Sequence, residues 1–120
     1  MIKPDVGIGS YDLNLALALA SDEGDSLICC LLGLACQAQQ IGNVRLGRDL
    51  LADLPRDWLI PRIEKLAQST LSLDDPWEYR RLIEVYRSID ATLRQRLTEA
   101  GLKSSNPELR EAAEDFRQVR

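Results

Sequence analysis

The sequence predicts an all-α domain of about six short helices in stacked αα-hairpins, either an α-solenoid or a compact helical bundle. Three observations predict it. Leu, Arg and Ala, all good helix formers, are among the commonest of the 120 residues, and Glu adds to them. Apolar residues recur at three-four spacing behind Asp, Asn and Pro signals of helix starts. Finally, "DDPWEYRRLIEVYRSI" (74–89) and "SNPELREAAEDFRQV" (105–119) are nearly the same helix written twice.

Each element has its own justification. Residues 1–9, with Pro4, Gly7 and Gly9, read as a loose lead-in. Tyr11–Ala20 reads as a helix, although Leu13, Leu15, Leu17 and Leu19 alternate as a strand would. "SDEGD" reads as a turn with Asp22 or Asp25 as N-cap, and Ser26–Gln40 is apolar nearly all round, as a central helix is. "IGN" breaks that helix, and Val44–Leu54 follows with Gly47, Leu50, Leu51 and Leu54 as its stripe.

Pro55 ends the segment, and Asp57 is the expected cap of a helix reaching about Thr70, with Leu59, Ile63, Leu66 and Ala67 inward. Pro61 belongs in its first turn or marks its true start. Asp75 caps a helix with Pro76 first and Glu78 third, a capping box, and its stripe is Tyr79, Leu82, Ile83, Tyr86 and Ile89. Asp90 caps the next, with Leu93, Leu97, Ala100 and Gly101 inward. Asn106–Pro107 starts the last, with Leu109, Ala112, Ala113, Phe116 and Val119 inward.

Composition narrows the chemistry. Residues 1–79 hold six basic and twelve acidic residues and residues 80–120 hold nine and seven, so balances of −6 and +2 make up the net −4. An acidic chain is a poor general nucleic-acid binder, because duplex affinity comes from basic side chains displacing counterions. No histidine is present, which removes the commonest general base, nucleophile partner and zinc ligand. Cys29, Cys30 and Cys36 sit in "LICCLLGLAC" without CxxC spacing and read as buried, reduced thiols of a cytoplasmic protein. "LNLALALA" before Ser21 has some look of a signal peptide, but Asp5, Asp12 and Asn14 argue against one, and no run reaches membrane-spanning length. No catalytic residue, metal site or cofactor is expected.

The duplication extends beyond the two quoted stretches. At an offset of 30, Glu78, Tyr79, Arg80, Glu84, Tyr86 and Arg87 match Glu108, Leu109, Arg110, Glu114, Phe116 and Arg117. At an offset of 34, Leu59, Arg62, Ile63, Leu66 and Ala67 match Leu93, Arg96, Leu97, Ala100 and Gly101. Helical pairs repeated at this spacing need a stacked copy to bury their apolar faces.

The unit "NPELREAAEDF" resembles the HEAT-repeat family, in which an Asp/Asn-Pro turn leads into an x-x-R-x-A-A helix; the resemblance covers about residues 57–119. Leu32, Gly33 and Ala52 fall at spacings similar to the tetratricopeptide consensus within residues 26–54, whereas Cys29, Cys36, Arg45 and Asp49 depart from it. Both resemblances imply one helical-repeat domain over residues 1–120 that binds another protein or peptide without catalysis.

The matched arginines give the site expectation. Arg80/Arg110 and Arg87/Arg117 have Glu84 and Glu114 at helical spacing and read as solvated ion-pair faces. Arg62/Arg96, with Lys65 and Arg94 nearby and fewer acids, reads as a cationic groove, with Trp58 at its rim. Such a groove suits an acidic peptide or protein surface, with neither nucleic acid nor membrane as partner. The alternative is a dedicated inhibitor, an immunity protein or antitoxin whose acidic half masks a basic active surface.

Overall fold

A computed structural model of the chain describes residues 21–118. The expectations for residues 1–9, for Tyr11–Ala20 and for Val119 lie outside that range. Among the described residues there are six helices and no strand: α1 (Ser21–Gln37), α2 (Ile41–Asp53), α3 (Arg56–Thr70), α4 (Pro76–Ile89), α5 (Ala91–Leu102) and α6 (Pro107–Gln118). No helix among them is long and apolar enough to cross a membrane.

The first two helices start earlier than the sequence suggested. "SDEGD" is helical, part of α1 rather than a turn before it. The helix ends at Gln37, not Gln40. "IGN" likewise opens α2 instead of breaking the chain: the N–H groups of Asn43 and Val44 already reach the Gln40 carbonyl at 3.0 and 3.1 Å.

Among the described helices, these two pack on each other most extensively. Gly47 makes that possible, because a Cβ there would lie 2.6 Å from the Ala35 nitrogen and 2.8 Å from the Leu31 oxygen. Around this contact Val44, Gly47 and Leu51 of α2 are buried. Leu50, expected inward, is only half-buried.

α3 begins at Arg56 behind Pro55, which offers no side-chain cap, and Asp57 sits in the first turn instead of capping it. Pro61 lies inside the helix, beyond the first turn. Its missing N–H leaves the Asp57 carbonyl without an intrahelical donor, and both residues are exposed, so water can supply one. Leu59, Ile63 and Ala67 are buried and Leu66 is half-buried.

The later starts follow the sequence closely. The Asp75 carboxylate accepts from the Trp77 N–H at 2.8 Å and the Asn106 side-chain oxygen from the Glu108 N–H at 2.9 Å, each just ahead of a proline in first helical position. Glu78 does not close a capping box. Its Oε1 accepts from the Ser72 N–H at 2.9 Å and from Gln37 Nε2 at 3.2 Å, which ties the end of α1 to the start of α4. Asp90 serves two helices: its N–H bonds the Tyr86 carbonyl at 2.9 Å, and its carboxylate accepts from the Leu93 N–H at 3.1 Å.

The core falls into two clusters joined by α4. The larger draws on α1 to α5, with Ile28, Leu32, Cys36, Leu51, Leu59, Ile63, Leu82, Tyr86 and Leu93 at its centre. The smaller joins Tyr79 and Ile83 of α4 to Leu109, Ala112 and Ala113 of α6. α1 has neighbours on several sides, as expected, packing on α2, α3 and α4. α4 supplies buried residues to both clusters, Leu97 of α5 packs against both, and Val85 joins the expected stripe of α4.

Tyr79 also donates to the Leu97 carbonyl at 2.8 Å, and burial pushes its phenol up to about 12. In α5, Ala100 is exposed where an inward position was expected, and Thr98 is buried, its hydroxyl satisfied by the Arg94 carbonyl at 2.8 Å. Phe116 is half-buried.

The thiols do not share one environment. Cys36 is buried and pushed up to about 12 by desolvation, Cys29 is half-buried, and Cys30 is exposed, contrary to the expectation for all three. Among the described residues α1 packs chiefly on α2, α3 and α4, which leaves the side that carries Cys30 exposed.

Side-chain ties link α3 to α5, α4 to α6, and the turns that precede α4 and α6. Arg96 of α5 reaches Glu64 of α3, Asn106 bonds the Asp74 carbonyl at 3.4 Å, and Arg80 of α4 reaches Asp115 of α6. Backbone packing is less repetitive: α5 lies close on α6, while α3 makes its close approach to α1 rather than to α4.

Candidate functional site

The five residues expected to line a groove are divided between two helices: Trp58, Arg62 and Lys65 follow at i, i+4 and i+7 along α3, whereas Arg94 and Arg96 lie on different sides of α5. Trp58 and Arg62 form a compact knot at the start of α3. The Trp58 ring presses on Gly24 of α1, where a Cβ would come within 2.7 Å of it. The Arg62 guanidinium lies 5.1 Å from the ring centroid, donates to the Trp58 carbonyl at 2.7 Å and stands 3.9 Å from the Asp25 carboxylate. These contacts hold α3 on α1 and steady the turn that Pro61 weakens.

Arg96 is engaged by Glu64 through two hydrogen bonds of 2.9 and 3.0 Å, which hold its proton more tightly than usual. Arg94 lies on another side of α5. Two residues apart on a helix means about 200° of rotation, so Arg94 and Arg96 cannot share a face. Arg94 instead lines a groove of about 450 Å³ with Thr98, Leu102, Phe116 and Arg117. Lys65 is exposed, with no side-chain partner among the described residues.

The ion pairs also differ from those expected. Arg80 pairs with Asp115 at 3.0 Å, and Arg110 donates to the Ser104 carbonyl at 2.8 Å. Arg117 meets Glu114 as its i,i+3 spacing suggests. Glu84 takes neither Arg80 nor Arg87 but sits between Arg48 of α2 at 3.3 Å and Arg81 at 3.2 Å. The long-range partner decides these pairings because Glu84 lies on the side of α4 that meets α2.

That α2/α4 surface is the feature sequence reasoning passed over. Gln37, just before α2, reaches Glu78 at the start of α4, and Arg48 reaches Glu84 one to two turns further along, so the two helices run in the same direction. Trp77, Arg81, Glu84 and Ser88 follow one another at three-four spacing along α4 and form its outer stripe. On α2, Ile41, Arg45 and Arg48 repeat the same spacing.

Trp77 is 46% exposed with the Arg81 guanidinium 4.3 Å from its ring centroid, and Ile41 is 51% exposed. Arg45 and Arg87 are exposed and have no acidic partner among the described residues. A shallow depression lined by Arg48, Glu84, Arg87 and Ser88 lies at the far end. The signal was available in the sequence: Trp77 is half a helical turn away from the buried stripe, with an arginine four residues on.

Chemically the surface offers guanidinium donors, an aromatic face and modest apolar area. Among the described residues no group of His, Cys, Asp and Glu is placed to hold a metal ion. The chain matches no known protein family, no curated protein and no solved structure, so its own geometry is the ground for a functional reading.

Proposed function

We propose that the chain is a non-enzymatic protein-binding module that takes an acidic segment of a partner protein along its α2/α4 surface. The observation that carries this reading is Trp77, left half-exposed with Arg81 stacked on it, on a surface where Arg45 and Arg87 have no acidic partner among the described residues. Tryptophan and arginine are the residues most enriched among interface hot spots, because they bring large desolvated area and directional charge together.

Electrostatics favours an acidic occupant. Of the four arginines along this surface, Arg48 and Arg81 meet Glu84, while Arg45 and Arg87 have no acidic partner among the described residues, on a chain of net charge −4. A local positive strip on a negative body orients the approach of an acidic partner and disfavours other orientations. Arg48 and Arg81 converge on the same Glu84 oxygen, Oε1, which holds the two guanidinium groups in place for an incoming carboxylate.

The HEAT-like reading of the chain rests on the sequence alone, on the matches at offsets of 30 and 34 residues. Free thiols at Cys29, Cys30 and Cys36 support a reducing compartment, the cytoplasm.

Copurification from the source cell, followed by affinity measurement with the recovered protein, tests the reading. Trp77→Ala should weaken binding by roughly 30-fold, the equivalent of a ~2 kcal/mol hot spot, and the Arg45→Glu, Arg87→Glu pair should abolish it. Lys65→Glu and Arg94→Glu should change it little. Equal losses from both groups of variants, with the helical content intact, would contradict the assignment of the surface.

A further inference from the structure

Two tyrosines of α4 are buried, and only one of them has its hydroxyl satisfied. Tyr79 donates to the Leu97 carbonyl at 2.8 Å, whereas Tyr86, 2% exposed, has no hydrogen-bond partner among the described residues. A buried hydroxyl left unpaired forfeits the hydrogen bonds it had in water, so this one calls for a reason. It is not sealed in: among the described residues, Asp25 Oδ1 is the only fully enclosed side-chain nitrogen or oxygen without a partner. The Tyr86 hydroxyl therefore opens on a space, and the space that Tyr86 lines is a cleft of about 250 Å³ between α3 and α5.

The cleft exists because α3 and α5 do not pack closely on each other. Ala67 of α3, Leu73 of the following connection, Leu82 of α4 and Leu97 of α5 give it a mostly apolar lining. Glu64 and Arg96 line it too, and their two hydrogen bonds of 2.9 and 3.0 Å bridge the helices. The phenol senses both of them. Burial first, then the Glu64 charge, raises its pKa, with Cys36 adding to the effect and Arg96 opposing it. The hydroxyl keeps its proton at neutral pH and has the ion pair as its neighbour.

We infer that this cleft is a binding site for a small neutral one-ring compound carrying a hydroxyl, a simple phenol, whose ring lies among the aliphatic side chains and whose hydroxyl meets Tyr86. Volume sets the size: an aliphatic cavity of about 150 Å³ takes up benzene, so the larger cleft accommodates one ring and a short substituent. Charge sets the neutrality. Glu64 and Arg96 neutralise each other, so a carboxylate would face Glu64 and an ammonium would face Arg96. The hydroxyl follows from the polar groups, because it can accept from Tyr86 and donate to a Glu64 oxygen that has a lone pair to spare. Water is the other occupant that would satisfy Tyr86, but it leaves the aliphatic walls wet, as a ring does not. The site is separate from the α2/α4 surface, since Leu82 and Tyr86 belong to the buried stripe of α4.

The probes p-cresol and toluene differ by one hydroxyl and read the cleft directly. Titration of the 120-residue chain followed by NMR should give saturable p-cresol shifts centred on Leu73, Leu82 and Leu97. Tyr86→Phe keeps the ring and removes the hydroxyl. It should weaken p-cresol about fivefold, the effect of one hydrogen bond, while toluene binds as before or more tightly. Its Tm should not fall, because no bond within the fold is lost. Ala100→Phe, at an exposed position of the lining, should block both probes.

No saturation up to about 10 mM p-cresol means that the cleft holds water alone and overturns the inference. Affinity for p-cresol that Tyr86→Phe leaves unchanged does the same, as do shifts centred elsewhere in the molecule. A lowered Tm for Tyr86→Phe also overturns it, by showing the hydroxyl already engaged within the fold. Should Ala100→Phe fail to fold, the comparison of p-cresol with toluene in the unsubstituted and Tyr86→Phe chains decides alone.

Discussion

Replacing Gly47 with alanine sets two effects of known size against each other on one helix. The new Cβ would stand 2.6 Å from the Ala35 nitrogen, 2.8 Å from the Leu31 oxygen and 2.8 Å from the Leu34 Cβ. Ordinary contacts are about 3.5–4.0 Å, so α1 and α2 must part by about 1 Å, enough to forfeit a quarter to a half of each contact well across the seam. Two of the three obstructing atoms are backbone and cannot rotate aside. That places the cost near the upper end of the ~1–3 kcal/mol range for overpacking, while the gain in helix propensity is about 1 kcal/mol.

The net loss of about 2 kcal/mol should lower Tm by roughly 8 °C, taking about 4 °C per kcal/mol for a chain of this size. Gly42 supplies the control: it lies on the same helix, is exposed, and a Cβ added there would meet nothing within 4 Å. Gly42→Ala should therefore leave Tm unchanged or raise it by up to about 4 °C. Thermal melts of the two variants beside the unsubstituted protein give the answer. A Gly47→Ala variant as stable as the Gly42→Ala variant would refute the close crossing of α1 and α2.

Other perturbations read other parts of the fold. Ile83→Ala empties a fully buried site in the smaller cluster and should cost about 2–5 kcal/mol, whereas Phe116→Ala, half-buried at its edge, should cost clearly less in the same chemical denaturation series. Asp75→Ala removes the carboxylate that accepts from the Trp77 N–H and should cost about 1 kcal/mol, with Asp75→Asn recovering most of it. Stability should also fall at alkaline pH. Folding raises Cys36 from 9.0 and Tyr79 from 10.0 to about 12 each, and raises Tyr86 as well. Below pH 9 both states keep these protons and the contribution is complete; between pH 9 and 12 the unfolded chain releases them first, so stability drops as pH rises. A denaturation midpoint that stays flat from about pH 8 to about pH 11.5 would contradict their burial.

The helices were legible in the sequence wherever local chemistry decides. Asp75–Pro76, Asp90 and Asn106–Pro107 mark starts that the structure keeps, because an Asx side chain and a proline act on the next few residues alone. The boundaries of α1 and α2 were misplaced because "SDEGD" and "IGN" carry turn composition, yet a helix tolerates the same residues. Side-chain pairing was the least legible. Glu84 has arginines at i+3 and i−3, and only the approach of α2 shows that Arg48 and Arg81 win. The expected groove failed to assemble for a simpler reason: Arg94 and Arg96 are two residues apart, and Arg62 and Arg96 find acids on neighbouring helices. Trp77 could have been found, since its position opposite the buried stripe follows from periodicity.

The central claim is that the α2/α4 surface binds an acidic segment of another protein. A photo-cross-linking benzoylphenylalanine placed at position 77 of the chain in its source cell tests it most directly, with position 65 as the control. The account predicts a discrete heterologous product at 77 whose cross-linked peptide is rich in Asp and Glu. That product should disappear when Arg45 and Arg87 are both changed to Glu, and position 65 should give none of it. A product that persists in the doubly reversed variant, or one that forms equally at position 65, would contradict the claim.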